Sequence, residues 1–116
     1  MSADNQQGLI LKGTLDVLVL KALSWTSMHG FEVTAWLEQQ AGGSLALDDA
    51  AVYQALYRME KRGLLKAEWG ISERNRRARY YELTHEGREY LKAESRRVLR
   101  YADTVRSILT ARTQGA

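Results

Sequence analysis

The chain has 116 residues, 45% of them hydrophobic and 27% charged, with a net charge of +3 and no cysteine or proline. That is the size and balance of one globular domain with a modest core. It excludes disulfides, thiolate chemistry and cysteine metal sites, and two histidines, His29 and His85, do not make a multi-histidine metal centre.

The charge is unevenly spread. Residues 1–50 sum to −4 and residues 51–116 to +7. A basic half of this kind points towards a polyanionic partner. No apolar run is long enough for a transmembrane helix, and "MSADNQQGL" lacks the basic and apolar parts of a signal peptide. Together with the lack of cysteine, this leads to the expectation of a cytoplasmic protein.

After a polar start, "LKGTLDVLVLKALSW" places Leu11, Leu15, Leu18, Val19, Ala22 and Leu23 at helical spacing, which predicts a buried first helix ending near Trp25. "TSMHG" reads as a turn. "FEVTAWLEQQAGG" predicts a second helix with Phe31 or Val33, Trp36 and Leu37 facing inward, stopped by Gly42 and Gly43. "SLAL" has room only for a short extended segment. Asp48 is then a natural N-cap for a third helix, "DAAVYQALYRMEKR". Its apolar face is Val52, Leu56 and Met59, with Ala55 at the edge. Its opposite face carries Ala50, Gln54, Tyr57, Arg58 and Lys61, flanked by Ala51 and Tyr53. Gly63 ends it.

"LLKAEWG" and "RARYYEL" predict two short strands around a polar loop of residues 70–76. A turn centred near Glu73 and Arg74 puts Arg79 opposite Glu68, where a cross-strand ion pair and a DNA contact are equal alternatives. Of Tyr80 and Tyr81, one packs inward and the other is free to reach a phosphate. Thr84 caps a long last helix. Leu91, Val98 and Val105 recur every seven residues, as do Tyr101 and Ile108, so this narrow stripe needs a partner surface. Trp25, Trp36 and Trp69 read as core anchors, with a ligand cleft at a dimer interface as the second reading.

The expected fold is therefore mainly α with a small β-hairpin. Residues 1–83 form a winged helix-turn-helix and residues 84–116 a C-terminal dimerisation helix. In that fold the third helix enters a DNA major groove and the hairpin wing lies over the backbone or minor groove. Tyr53, Gln54, Tyr57, Arg58 and Lys61 on the helix, and Arg74, Arg76 and Arg77 on the wing, are the candidate DNA-binding residues. Gln54 can pair bidentately with an adenine edge. Arginine supplies the forked, permanently charged donors that phosphates need. Leu91, Val98, Tyr101, Val105 and Ile108 are the candidate dimerisation residues.

Four stretches carry a family resemblance: "LKGTLDVLVLKALS" (11–24), "HGFEV" (29–33), "VYQALYRMEKRGLL" (52–65) and "NRRARYYELTHEGREYL" (75–91). The chain resembles the PadR-like transcriptional regulators, in the short form with a single C-terminal helix. The resemblance implies a homodimeric bacterial DNA-binding regulator, usually a repressor, and many members respond to small aromatic or lipophilic molecules. It also makes Tyr53 a phosphate contact and His29 a backbone contact, although His29 read alone is a helix-start residue. One departure matters. The third helix of the family often opens Gly-Ser-Leu-Tyr-Pro, whereas here the stretch is Ala50-Ala51-Val52-Tyr53-Gln54, without the hydroxyl and the proline.

No nucleophile–base pair, paired carboxylates, metal cluster or phosphate-binding glycine loop stands out, so no enzyme activity, cofactor or metal is expected. The expected function is repression as a homodimer on a pseudo-palindromic operator, relieved by a small-molecule effector. The alternative is a winged-helix protein-interaction module without sequence-specific DNA binding.

Overall fold

The computed structural model describes residues 13–113. Among the described residues three helices come first: α1 (Thr14–Ala22), α2 (Gly30–Ala41) and α3 (Asp49–Lys61). A two-stranded antiparallel hairpin, β1 (Leu65–Ile71) and β2 (Arg77–Leu83), leads into the long helix α4 (His85–Leu109). This is the expected order except that no strand lies between α2 and α3.

The core forms where the three apolar stripes meet. Val19 and Leu20 of α1, Val33 of α2, and Val52, Leu56 and Met59 of α3 are fully buried. Leu65, Tyr81 and Leu83 close it from the hairpin. Leu20 belongs to this centre although the periodic reading omitted it. Leu15 and Leu18 pack only at its edge, and Leu11 lies outside the described residues. On α2, Val33 and Leu37 turn inward and Phe31 turns out, which decides between the two expected faces.

The helix ends follow local chemistry. His29 caps α2 by a reciprocal pair: the Glu32 N–H donates to His29 Nδ1 at 3.2 Å, and the His29 N–H donates to Glu32 Oε1 at 3.1 Å. Gly42 ends α2 in the left-handed conformation. Asp48 caps α3 by accepting from the Ala50 N–H at 3.1 Å. Thr84 caps α4, its Oγ1 accepting from the Gly87 N–H at 3.0 Å. That first turn seats against the body so closely that a Cβ on Gly87 would lie 2.0 Å from the Leu64 carbonyl oxygen.

Three expectations need correction. "SLAL" forms no strand. The outer edge of β2 is taken instead by Met28, which exchanges two backbone hydrogen bonds with Tyr81, at 2.9 and 3.1 Å. Residues 70 and 71 belong to β1, so the wing loop is 72–76. Trp25 and Trp69 are not core anchors: they are 65% and 60% exposed. Trp25 follows the last turn of α1, where the Lys21 ammonium lies 5.0 Å from its ring. Trp69 stands near the wing tip, beyond the body. Trp36 alone packs against the core.

Tyr90 and Leu91, in the second turn of α4, pack against the core. Gly87 is its one buried residue, and Leu99, Tyr101, Ile108 and Leu109 are exposed. No described helix is long and apolar enough to cross a membrane.

Candidate nucleic-acid interface

Burial of Val52, Ala55, Leu56 and Met59 on one side of α3 fixes what the other side presents. Gln54, Tyr57, Arg58 and Lys61 are exposed, with Tyr53 on the flank. Two of these cations already have partners. Arg58 Nη2 donates to Asp16 Oδ1 at 2.7 Å, which ties α3 to the first turn of α1. The Lys61 ammonium lies 4.8 Å from the centre of the Tyr57 ring. Tyr53 rests against the start of α2. A Cβ on Gly30 would sit 2.3 Å from the Tyr53 ring, so only glycine leaves room for it.

The wing tip is a tight turn. The Ser72 N–H donates to the Arg76 carbonyl at 2.8 Å, and the Asn75 N–H donates to the Ser72 carbonyl at 2.9 Å. Asn75 takes the left-handed conformation at φ 59°, which a short polar side chain tolerates. Arg74, Arg76 and Arg77 are exposed and make no ion pair among the described residues. Arg77 lies over Trp69, 4.5 Å from the ring centre, so the wing stiffens one of its own cations.

Arg79 behaves differently. The hairpin register pairs Arg79 with Trp69 and Glu68 with Tyr80, one residue away from the expected register. Arg79 therefore does not meet Glu68. Its Nη2 donates to Glu60 Oε2 of α3 at 2.7 Å, an ion pair that joins the wing to the third helix. Tyr81 packs inward, as one of the two tyrosines was expected to, and Tyr80 lies edge-on to His29 at 5.3 Å between ring centres.

These pieces border one cleft of about 690 Å³. His29, Gly30 and Phe31 form one wall, Tyr53 stands at the corner, and Trp69, Arg74, Arg76 and Arg77 overhang from the wing. Gln54, Tyr57 and Lys61 do not line the cleft and lie further along α3. The candidate dimerisation residues are spread along α4. Tyr101 and Ile108 are exposed and Val98 and Val105 half-buried, whereas Leu91 packs against the chain's own core. Asp16, Glu60 and Trp69 were not anticipated as partners of Arg58, Arg79 and Arg77. Only contacts across the folded chain reveal them.

A three-helix core with one polar helix face outward, followed by a basic hairpin, defines a winged helix-turn-helix DNA-binding protein. The family model described as "Transcriptional regulator PadR-like family" matches residues 19–93. The chain belongs to that family, whose members are transcriptional regulators and not enzymes. It is similar to a PadR family transcription regulator from Clostridium difficile, at 27% identity over 84% of this chain and 99% of that one, with a TM-score of 0.70. A PadR family regulator from Eggerthella lenta is 26% identical over 87% of this chain and 86% of that one, with a TM-score of 0.72. A PadR-like regulator from Bacillus cereus, 24% identical over 88% of this chain and 97% of that one, has the same fold at a TM-score of 0.73. An uncharacterized protein of Lysinibacillus sphaericus is 26% identical over 71% of this chain and 75% of its own length.

Proposed function

We propose that the chain is a repressor acting in the cytoplasm as a homodimer on a pseudo-palindromic operator, and that a small aromatic or lipophilic effector relieves it. One observation carries the reading: Tyr53 of α3 and the three wing arginines border a single cleft, so one DNA strand can meet both. Gln54 and Tyr57 reach base edges. Tyr53, Lys61, Arg74, Arg76 and Arg77 hold phosphates, and Arg58 stands beside them. A single module of this size makes few contacts. Two modules joined through α4, around Val98, Tyr101, Val105 and Ile108, bind with a high effective concentration. Repression follows from occlusion of polymerase, and an effector acts by changing the spacing of the two α3 helices.

Footprinting on the DNA upstream of the chain's own gene tests this. The expected result is two protected half-sites about 34 Å apart, or a multiple of that. Binding no tighter than to random DNA would leave the protein-interaction alternative. Replacing Arg74, Arg76 and Arg77 together with Ala is expected to weaken binding to all duplexes alike. Unchanged affinity would mean that the wing takes no part.

A further inference from the structure

We propose that Asp16 is a specificity-determining residue: it holds Arg58 back from the phosphates and so suppresses sequence-independent binding by the third helix. The inference rests on the DNA-binding reading above and assigns a role to a residue outside its interface.

The ion pair is asymmetric. Asp16 is short, sits on a helix packed into the core, and its side chain is only 16% exposed, whereas that of Arg58 is 54% exposed. The aspartate is the fixed partner, and the long arginine is drawn towards it. A phosphate approaching the same guanidinium has to come close to the Asp16 carboxylate, and like charges at that range repel. The Asp16 carboxylate thus offsets part of the Arg58 charge before any DNA arrives.

The rest of the surface gives this a consequence. Lys61, the other cation on the outward face of α3, rests on Tyr57. The wing carries three further cations that make no ion pair among the described residues, Arg74, Arg76 and Arg77. The tasks are therefore divided: Gln54 and Tyr57 are left to read bases, and the wing supplies most of the grip, with Tyr53 and Lys61 at its side. A free Arg58 would add a phosphate contact on every sequence, operator or not, because such contacts carry no sequence information. Asp16 removes that contribution and raises the ratio of specific to non-specific affinity.

The test uses the full chain with the Asp16→Asn substitution, which keeps the shape and removes the charge. Its affinity for a random-sequence DNA duplex is measured across a salt series, beside a duplex from its own upstream region. The variant is expected to bind random DNA more tightly. Its salt dependence should steepen by about 0.9 in log–log slope per protomer, equal to a further fall of about 3.5-fold between about 50 and about 200 mM salt. The ratio of specific to random affinity should drop. Adding Asp16→Asn to Arg58→Ala should leave the slope on random DNA where Arg58→Ala alone puts it, because the cation that the substitution would release is gone.

An unchanged or shallower slope for Asp16→Asn overturns the proposal. So does a steeper slope when Asp16→Asn is added to Arg58→Ala, which would mean that the substitution does not act by releasing Arg58. If the unmodified chain binds no duplex at all, the DNA-binding reading fails and this inference falls with it. If the unmodified chain binds DNA and the variants miss these slopes, this inference fails alone.

Discussion

Arg79 of the returning wing strand and Glu60 in the last turn of α3 meet at 2.7 Å, and this contact ties the wing to the helix beside it. The pair is partly shielded, with Tyr81 on one side of the guanidinium and the Arg79 Nε buried without a partner. A hairpin of two strands is marginal by itself. Here its base is joined to the core by Leu65, Tyr81 and Leu83, and its angle to α3 is set by this ion pair.

Arg79→Ala is therefore expected to destabilise the fold. Removing one partner of a fully buried pair costs about 3–5 kcal/mol. The Arg79 side chain is more than a third exposed, so solvent screening reduces the expectation to about 1–2 kcal/mol. Urea denaturation of Arg79→Ala, Glu60→Ala and the double variant would measure it. If the two single losses simply add in the double variant, the contact is not energetically coupled.

Gly87 lies in a helix, where replacement by alanine ordinarily gains about 1 kcal/mol. The opposite sign is expected here. The new Cβ would meet the Leu64 carbonyl oxygen, a backbone atom that cannot swing aside, at 2.0 Å. Overpacking of this kind costs about 1–3 kcal/mol. A thermal melt of Gly87→Ala should show a lower Tm, and a higher one would mean that α4 is not seated as described.

Much of the fold was legible in local pattern. The stripe Val52, Leu56 and Met59 announced α3, and Asp48 and Thr84 announced their helices, because caps and periodicity act over a few residues. The wing register was missed by one residue. Residues 70–76 are uniformly polar or small apart from Ile71, and nothing in that pattern marks where pairing stops. The five-residue turn depends on Asn75 adopting a left-handed conformation. That slip exchanged the partner of Arg79, since a shift of one flips a strand face. The partnerships of Arg58 with Asp16 and Arg79 with Glu60 span 42 and 19 residues and depend on how elements pack, which periodicity does not report. The tryptophans misled because size favours burial in general, while Trp69 sits where the hairpin has outrun the core.

Tyr81 gives the fold an alkaline limit. Burial pushes its hydroxyl above the ordinary value of 10.0, although the neighbouring Arg79 guanidinium pulls the other way. A raised value in the folded chain means that the unfolded chain loses this proton first. The contribution of Tyr81 is thus fully present below about pH 10 and is lost as the pH rises through its folded value. Stability measured by urea denaturation from about pH 8 to about pH 11 should fall at the upper end. Tyr81→Phe should flatten that part of the fall. An identical alkaline slope in both proteins would show that Tyr81 is not its source.

The proposed dimer puts its weight on the exposed apolar residues in the later turns of α4. Ile108 is 68% exposed and Tyr101 59%, on a helix whose one buried residue is Gly87. A charge introduced there, as in Ile108→Glu, leaves the core untouched, so circular dichroism and Tm should hardly change. Its effect should fall on association. The unmodified chain is expected to sediment as a dimer at micromolar concentration and the variant as a monomer. Affinity for an operator should then fall by about a hundredfold, because the second α3 no longer binds at high effective concentration. Affinity for a single half-site should stay the same, which separates lost pairing from a damaged DNA surface. A monomeric unmodified chain would rule out the dimer, and a variant that stays dimeric would move the seam away from Ile108.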